Sequence, residues 1–304
     1  MKKILLVLVI AFVYIQSEAC PICGCGVGNF YIGLLPSFQS KFIGIRYGDM
    51  RYETHLKDEP SEFSKDHYKV AELWGGWNIG QCWQVLGFIP YHFNYQNTDE
   101  GVKTQNGLGD VMFMANYKLW QSSKQNKNDR SATHHEFWLG GGIKLPTGKY
   151  EVDHNDPETE VGDVNSQMGT GSLDFIANAM YNVKLGKIGI NTSASYKMNT
   201  SNNSDYKFGN RFVASSFAFY QAKIMKTYVA PNVGLLYENA AINQSKKNTV
   251  VQTGGYVALG VAGFDVNIGK ITLGGNVQLP FAQNFSDGQT VAKSRGLLQA
   301  TFTF

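Results

Sequence analysis

The feature that most constrains the fold is an alternation of apolar and polar side chains, with a period of two residues, that recurs along most of the chain. Successive side chains of a β-strand point to opposite faces, so this period indicates strands with one apolar and one polar face. In the last segment the apolar face comprises Gly296, Leu298, Ala300, Phe302 and Phe304, and the polar face comprises Lys293, Arg295, Gln299, Thr301 and Thr303.

The alternation predicts about twelve strands, each of 11 residues or more and therefore long enough to cross a bilayer at a tilt. An even number of antiparallel strands can close on itself, with both ends of the chain on the same side. The predicted ranges are 40–54, 67–79, 82–95, 109–120, 135–146, 171–183, 187–199, 206–221, 224–239, 250–265, 269–281 and 290–304.

Charges on the polar faces favour a hydrated interior, because a dry core would have to neutralise each charge at a cost of several kcal/mol. The sequence therefore predicts an all-β fold, a transmembrane antiparallel β-barrel. Its 33 Gly, 19 Phe and 16 Tyr with only 17% charged residues suit lipid-facing strands with aromatic girdles. Ten residues are predicted to line the lumen: His92, Asp110, Asn116, Lys144, Asp174, Lys197, Asn276, Gln278, Lys293 and Arg295.

The first 19 residues have the pattern of a secretory signal peptide: two lysines, a short apolar run and small residues before Cys20. We expect three regions: a signal peptide at 1–19, a Cys-rich segment at 20–38 and the barrel at 39–304. Lipid modification of Cys20 is an alternative. Predicted long and short connections alternate, apart from 121–134, which indicates a bacterial outer-membrane protein with both termini in the periplasm.

The Cys-rich segment carries Cys20, Cys23 and Cys25, and the fourth cysteine is Cys82. In an oxidising compartment four cysteines favour disulfides. The alternative is a soft metal site for Cu or Zn at the same thiols. We hypothesise that residues 20–38 plug the periplasmic mouth, with Cys82 bonded to the cluster or sharing a metal with it.

Three Gly-rich motifs carry a resemblance to a known family: 107–110 (GLGD), 144–148 (KLPTG) and 169–172 (GTGS). Together they resemble the outer-membrane barrel family named for the MetA pathway of phenol degradation, which is distantly similar to long-chain fatty acid transporters. The resemblance implies passage of small, often apolar or aromatic solutes. The aromatic Phe304 resembles the C-terminal signal read by the barrel-assembly machinery. The Asn-Pro-Ala plug signature of the fatty acid transporters is absent from the sequence.

These features favour a channel or transporter for small solutes, embedded in outer-membrane lipid, with no cofactor. One alternative is a metal-handling barrel that uses the Cys cluster. A less favoured alternative is a barrel-type membrane hydrolase, because no histidine is followed two residues later by a serine. We expect no enzymatic activity. We also expect no nucleic-acid binding, since the net charge is only +3 and basic residues are dispersed.

Overall fold

The computed structural model describes residues 41–55, 63–99, 101–125, 132–150 and 167–304. They form 18 strands and one 3-10 turn, Ser286–Gly288: β1 (Phe42–His55), β2 (Phe63–Ile79), β3 (Trp83–Thr98), β4 (Gly101–Leu108), β5 (Met112–Gln125), β6 (Ala132–Lys144), β7 (Asp174–Leu185), β8 (Ile188–Met198), β9 (Tyr206–Lys207), β10 (Arg211–Tyr220), β11 (Ala222–Ile224), β12 (Thr227–Ala240), β13 (Gln244–Ser245), β14 (Asn248–Thr249), β15 (Gly255–Ile268), β16 (Ile271–Phe285), β17 (Thr290–Ala292) and β18 (Arg295–Thr303). Within these ranges no helix has the length and apolarity needed to span a membrane.

Fifteen of the strands form one antiparallel sheet that closes on itself. The sheet runs β10-β8-β7-β6-β5-β3-β2-β1, continues through β17 and β18 to β16, β15 and β12, and returns to β10. In chain order β4 leads into β5, β10 into β11 and β17 into β18, so the fifteen strands occupy twelve positions around the barrel. The predicted twelve-stranded antiparallel barrel is confirmed.

The two faces of the wall differ in chemistry as the alternation predicts. On β16 the apolar side chains of Ile271, Leu273, Val277 and Leu279 are all exposed on the outer face, whereas Gln278 is buried on the inner face. Met112 and Met114 are apolar residues on the predicted polar face of β5, and both are buried on the inner face. The position of a residue in the two-residue alternation, and not its hydrophobicity alone, therefore decides which face its side chain occupies.

Glycines on the inner face allow large side chains of the neighbouring strand to lie flat against the wall. A Cβ atom on Gly234 would collide with the ring of Phe217, and one on Gly189 with the ring of Phe219. Phe217 is fully buried as a result. The bulky residues therefore pack along the wall rather than projecting straight across the barrel.

Several predicted strand ends were wrong on the side of the barrel away from the C-terminus. The predicted connection at 96–108 is a hairpin, because β3 continues to Thr98 and β4 begins at Gly101. Residues predicted to begin two barrel strands, at 206 and 250, instead lie in or beside a small separate sheet of β9, β13 and β14. Where a strand extends out of the membrane, neither of its faces contacts lipid. The alternation therefore gives no information about these strand ends.

The prediction that Lys293 faces the lumen was also wrong. Ala292 pairs with Tyr52 and Gly296 pairs with Asp49, so three residues of one strand, Lys293 to Arg295, oppose two of β1. This bulge shifts the alternation by one residue. Lys293 Nζ consequently lies on the outer face, 2.8 Å from Glu53 Oε2, while Arg295 remains inside.

Candidate functional site: the inner wall of the barrel

The structure places nine of the ten predicted lumen residues on the inner face of the wall. Eight are buried: His92, Asp110, Asn116, Lys144, Asp174, Lys197, Gln278 and Arg295. Asn276 is half-buried and accepts a hydrogen bond from Gln278 at 3.0 Å. That these residues line a path for solutes stays a prediction.

A buried charge cluster lies at the end of the barrel away from the C-terminus. It comprises Asp110, Lys144 and Asp174. Lys144 Nζ lies 2.5 Å from Asp110 Oδ2 and 3.0 Å from Asp174 Oδ2. Each of the three side chains is at most 6% exposed. A buried ammonium needs such partners, because its transfer from water costs several kcal/mol.

The three Gly-rich motifs meet at this cluster. Asp110 Oδ1 accepts a hydrogen bond from the Gly148 amide at 2.9 Å, and Asp110 Oδ2 accepts one from the Thr170 amide at 2.9 Å. Lys144 Nζ also donates to Thr170 Oγ1 and, at 3.0 Å, to the Ser172 carbonyl oxygen. Gly148 and Gly169 pack so closely that a Cβ on either would collide with the other's backbone. The motifs thus connect the start of β5, the end of β6 and the start of β7.

A second charge pair, missed by the sequence analysis, lies deeper in the barrel. Arg46 of β1 donates to Glu72 Oε1 from Nε at 2.8 Å, and both side chains are 1% exposed. The guanidinium carbon of Arg46 lies 4.4 Å from the ring centroid of Trp74 and 5.3 Å from that of Phe88. This arrangement places a cation, a carboxylate and two aromatic rings on one stretch of inner wall.

A third set of polar side chains includes a contact between two strands that are not neighbours in the sheet. Arg295 of β18 donates to Glu238 Oε1 of β12 at 2.9 Å and to the Tyr52 hydroxyl of β1 at 3.0 Å. Since β15 and β16 separate β12 from β18 in the sheet, the Arg295–Glu238 pair bridges two intervening strands.

The remaining polar groups are spread around the wall. Lys118 Nζ lies 3.9 Å from Glu136 Oε1 and 5.2 Å from the Trp138 ring centroid. Asn178 donates to Asn116 at 3.1 Å. On the opposite side, Gln299 donates to Asp265 at 3.0 Å. The interior is therefore lined by both charge signs and by amides.

The two-residue alternation along each strand is enough to assign the missed residues to the inner face. Glu72 and Trp74 share the face of β2 opposite Leu73, and Glu136 and Trp138 share the face of β6 opposite Leu139. On an inner face, tryptophan packs beside the charged groups.

The cysteine hypotheses fall largely outside the described part of the chain. Cys20, Cys23 and Cys25 lie there, so the disulfide, the plug and the Cu or Zn site stay predictions. Cys82 is half-buried, unbonded and located in the turn between β2 and β3. Within the described ranges no group of three or more His, Cys, Asp and Glu side chains could hold a metal ion.

A closed barrel with an apolar outer face and a charged inner face defines the class of outer-membrane β-barrel proteins. Within this class, a family model described as "Putative MetA-pathway of phenol degradation" matches residues 63–283. The chain belongs to that family, as the Gly-rich motifs predicted. The similarity to fatty acid transporters stays a prediction.

The chain is similar to solved structures at low sequence identity. The chain is similar to the COG4313 outer membrane channel from Pseudomonas putida F1, with 14% identity, a TM-score of 0.59, and coverage of 96% of this chain and 99% of that one. It is also similar to the translocator domain of the autotransporter NalP from Neisseria meningitidis, with 9% identity, a TM-score of 0.46 and coverage of 90% and 91%. No curated protein sequence matches the chain.

Proposed function

We propose that this protein is an outer-membrane channel for small solutes, with apolar or aromatic solutes as the favoured class. The observation that carries the proposal is the inner wall, where charged residues alternate with aromatic rings along a closed barrel. A barrel of twelve strands has an interior between that of filled eight-stranded barrels and that of open porins. Family membership and the fold shared with a solved outer membrane channel support the same function.

The preference for aromatic solutes rests on the wall around Arg46. Trp74 and Phe88 lie with their rings 6.3 Å apart in a stacked arrangement, and Phe42 packs edge-on against Trp74 at 4.6 Å. Because these side chains are at most 3% exposed, an aromatic solute reaches them by displacing a neighbouring ring, whose contacts it replaces by equivalent ones, while Arg46 and Glu72 offer hydrogen bonds to a hydroxyl group. Sugars and other strongly hydrated solutes would gain less binding free energy from contact with such a wall.

The proposed orientation places both termini in the periplasm and the small sheet of β9, β13 and β14 outside the cell. Short turns join β2 to β3, β7 to β8 and β15 to β16 at the end that carries Phe304, as expected for periplasmic turns. The proposed partners are outer-membrane lipid and the barrel-assembly machinery. In this proposal the protein has no cofactor and no enzymatic activity.

The test is purified protein in liposomes, assayed for uptake of matched small solutes: a phenol, an aliphatic alcohol and a sugar of similar mass. We expect the uptake above that of protein-free liposomes to be larger for the phenol than for the sugar. Trp74→Ala, on the inner wall, should change the rate, whereas Ile45→Ala, on the outer face of the adjacent strand, should not. Uptake equal to that of protein-free liposomes for every solute would contradict the proposal.

A further inference from the structure

Basic side chains are concentrated on one sector of the outer face, beside β1. We call Arg51, Lys65, Lys69 and Lys293 the basic patch. Arg51 and Lys65 are exposed, and Lys69 and Lys293 are half-exposed. His67 lies among them.

The strand register places these side chains side by side. Arg51 pairs with His67 of β2, and the Lys293 amide donates to the Arg51 carbonyl on the other side of β1 at 2.9 Å. Lys65 and Lys69 occupy the outward positions before and after His67 on β2. Directly paired side chains on one face of a sheet have Cβ atoms about 5 Å apart, so the patch is a continuous surface.

Two carboxylates neutralise only part of this charge. Asp49 contacts His67 Nε2 at 2.6 Å and Arg51 Nε at 3.2 Å, and Glu53 contacts Lys293 at 2.8 Å. The four basic residues and two acidic ones give a net charge of +2 with His67 neutral. Among the residues that the structure describes, neither Lys65 nor Lys69 has a salt-bridge partner.

The patch lies at the far edge of the apolar outer band. Below it the outward positions are occupied by apolar residues such as Tyr47, Ile45 and Leu73. Along β2, ten residues separate His67 from Trp77, whose ring lies 5.8 Å from that of Phe304 at the opposite rim. At about 3.3 Å per residue and a tilt of about 40°, this separation is about 25 Å, the height of a typical apolar band.

The patch therefore lies at the level of lipid headgroups rather than in hydrocarbon. Tyr91, Phe93 and Tyr95 are exposed on the adjacent strand β3 and provide an aromatic girdle at the same edge. Basic side chains at this depth attract anionic headgroups, at about 1 kcal/mol for each Lys or Arg. Phosphate groups also accept short, charge-assisted hydrogen bonds from Arg and Lys.

We propose that the basic patch binds the phosphorylated headgroup of lipid A, the glycolipid anchor of lipopolysaccharide in the outer leaflet. Charge complementarity and depth both favour this occupant. The proposal rests on the orientation given under the proposed function, because the patch faces the outer leaflet only if the termini are periplasmic. It does not depend on which solute the channel carries.

The test measures lipid A binding to the full-length protein in zwitterionic detergent, as the rise in the temperature at which heating changes its electrophoretic mobility. The patch variant combines Arg51→Gln, Lys65→Gln, Lys69→Gln and Lys293→Gln. The matched control removes four charges from the opposite rim: Lys187→Gln, Lys223→Gln, Lys226→Gln and Lys270→Gln. All four control residues are exposed. A mobility shift without lipid verifies that each variant is folded.

We expect diphosphoryl lipid A to raise the transition temperature of the natural sequence and of the control, and to lose more than half of this effect on the patch variant. Lipid A that copurifies with the barrel should fall several-fold in the patch variant only. An equal response of all three proteins would overturn the proposal. Labelling of Ser245→Cys in intact cells by an impermeant thiol reagent tests the orientation separately; absence of labelling would overturn the outer-leaflet assignment, whatever the result in detergent.

Discussion

Lys144 Nζ lies 2.5 Å from Asp110 Oδ2, and this buried ion pair joins the residue that ends β6 to the short segment between β4 and β5. Asp110 also accepts hydrogen bonds from the backbone of the two following loop ends. A single carboxylate thus holds three chain segments that are far apart in sequence.

Asp110→Asn is expected to lower the free energy of unfolding by about 3 kcal/mol, because it leaves the Lys144 ammonium buried with only Asp174 as an ionic partner. Urea titration of the protein in detergent measures the change. The surface variant Asp49→Asn breaks ion pairs on the outer face and should cost less than about 1 kcal/mol. In the double variant with Lys144→Met, much of the loss at Asp110 should be recovered; an additive loss would contradict the assigned role.

Asp66→Asn is expected to stabilise the protein at neutral pH by about 1 kcal/mol. Asp66 is 2% exposed on the inner face at the level of the basic patch, beyond the apolar band, and its Oδ2 atom has no hydrogen-bond partner. Burial raises the pKa of this carboxyl above its usual value.

The sign of the pH dependence follows from that shift. A carboxyl whose pKa is higher in the folded state favours folding when protonated, so its contribution is present at low pH and is lost as the pH rises through the folded-state pKa. Unfolding titrations of the natural sequence between pH 4 and 8 should therefore show a decline that Asp66→Asn reduces. Glu53→Gln is the control with the opposite sign: hydrogen bonding to Lys293 lowers the pKa of Glu53, so its stabilising contribution is lost only as the pH falls at the acidic end, and the decline towards pH 8 should persist in this variant. Identical pH profiles for the natural sequence and Asp66→Asn would disprove the assignment.

Leu273→Arg is expected to destabilise the protein by about 2–4 kcal/mol in a lipid bilayer, as at a lipid-facing site near the midplane. Leu273 is 46% exposed on the outer face of β16. The matched variant Asn276→Arg introduces the same side chain three residues away on the inner face and should be tolerated. Folding yield into vesicles at increasing urea concentration measures both, and equal effects would contradict the face assignment.

Closure of the barrel predicts that the unheated protein migrates differently from the boiled protein in detergent gels. The pairs β1–β18 and β10–β12 leave no free edge in the main sheet from which unfolding could begin. Replacement of Ala300 by Pro, which removes an amide hydrogen from β18 beside Ile45, should lower the temperature of the mobility change. A protein whose mobility is the same before and after boiling would not be a closed barrel.

The alternation predicted the number of strands and the face of most residues because one physical contrast, lipid against a hydrated interior, acts at every position inside the bilayer. Glu72 and Trp74 show what it could not predict. Their parity places them on the inner face, but the contact of Arg46 with both depends on the register between β1 and β2, which no local pattern specifies.

The bulge at Lys293 shows a second limit. One extra residue between Ala292 and Gly296 reverses the face of Lys293, and none of residues 293–295 is a Gly or Pro that would mark the bulge in the sequence. The charge cluster at Asp110 was different, since its Gly-rich motifs were visible. What the motifs could not reveal was that they meet at one carboxylate.

The pairing of inner-face glycines with rings of the next strand has an implication for how such barrels diversify. Phe217 lies over Gly234, so the volume that one strand gives up is occupied by its neighbour. Exchanging the two, with Phe217→Gly and Gly234→Phe in one chain, would move the same bulk sideways by a single strand and leave the number of strands unchanged, once the backbone shifts to free the Ser216 carbonyl oxygen, which a Cβ on Gly234 would also meet. Mutation could in this way reshape the bore in small lateral steps, without the insertion or loss of a hairpin.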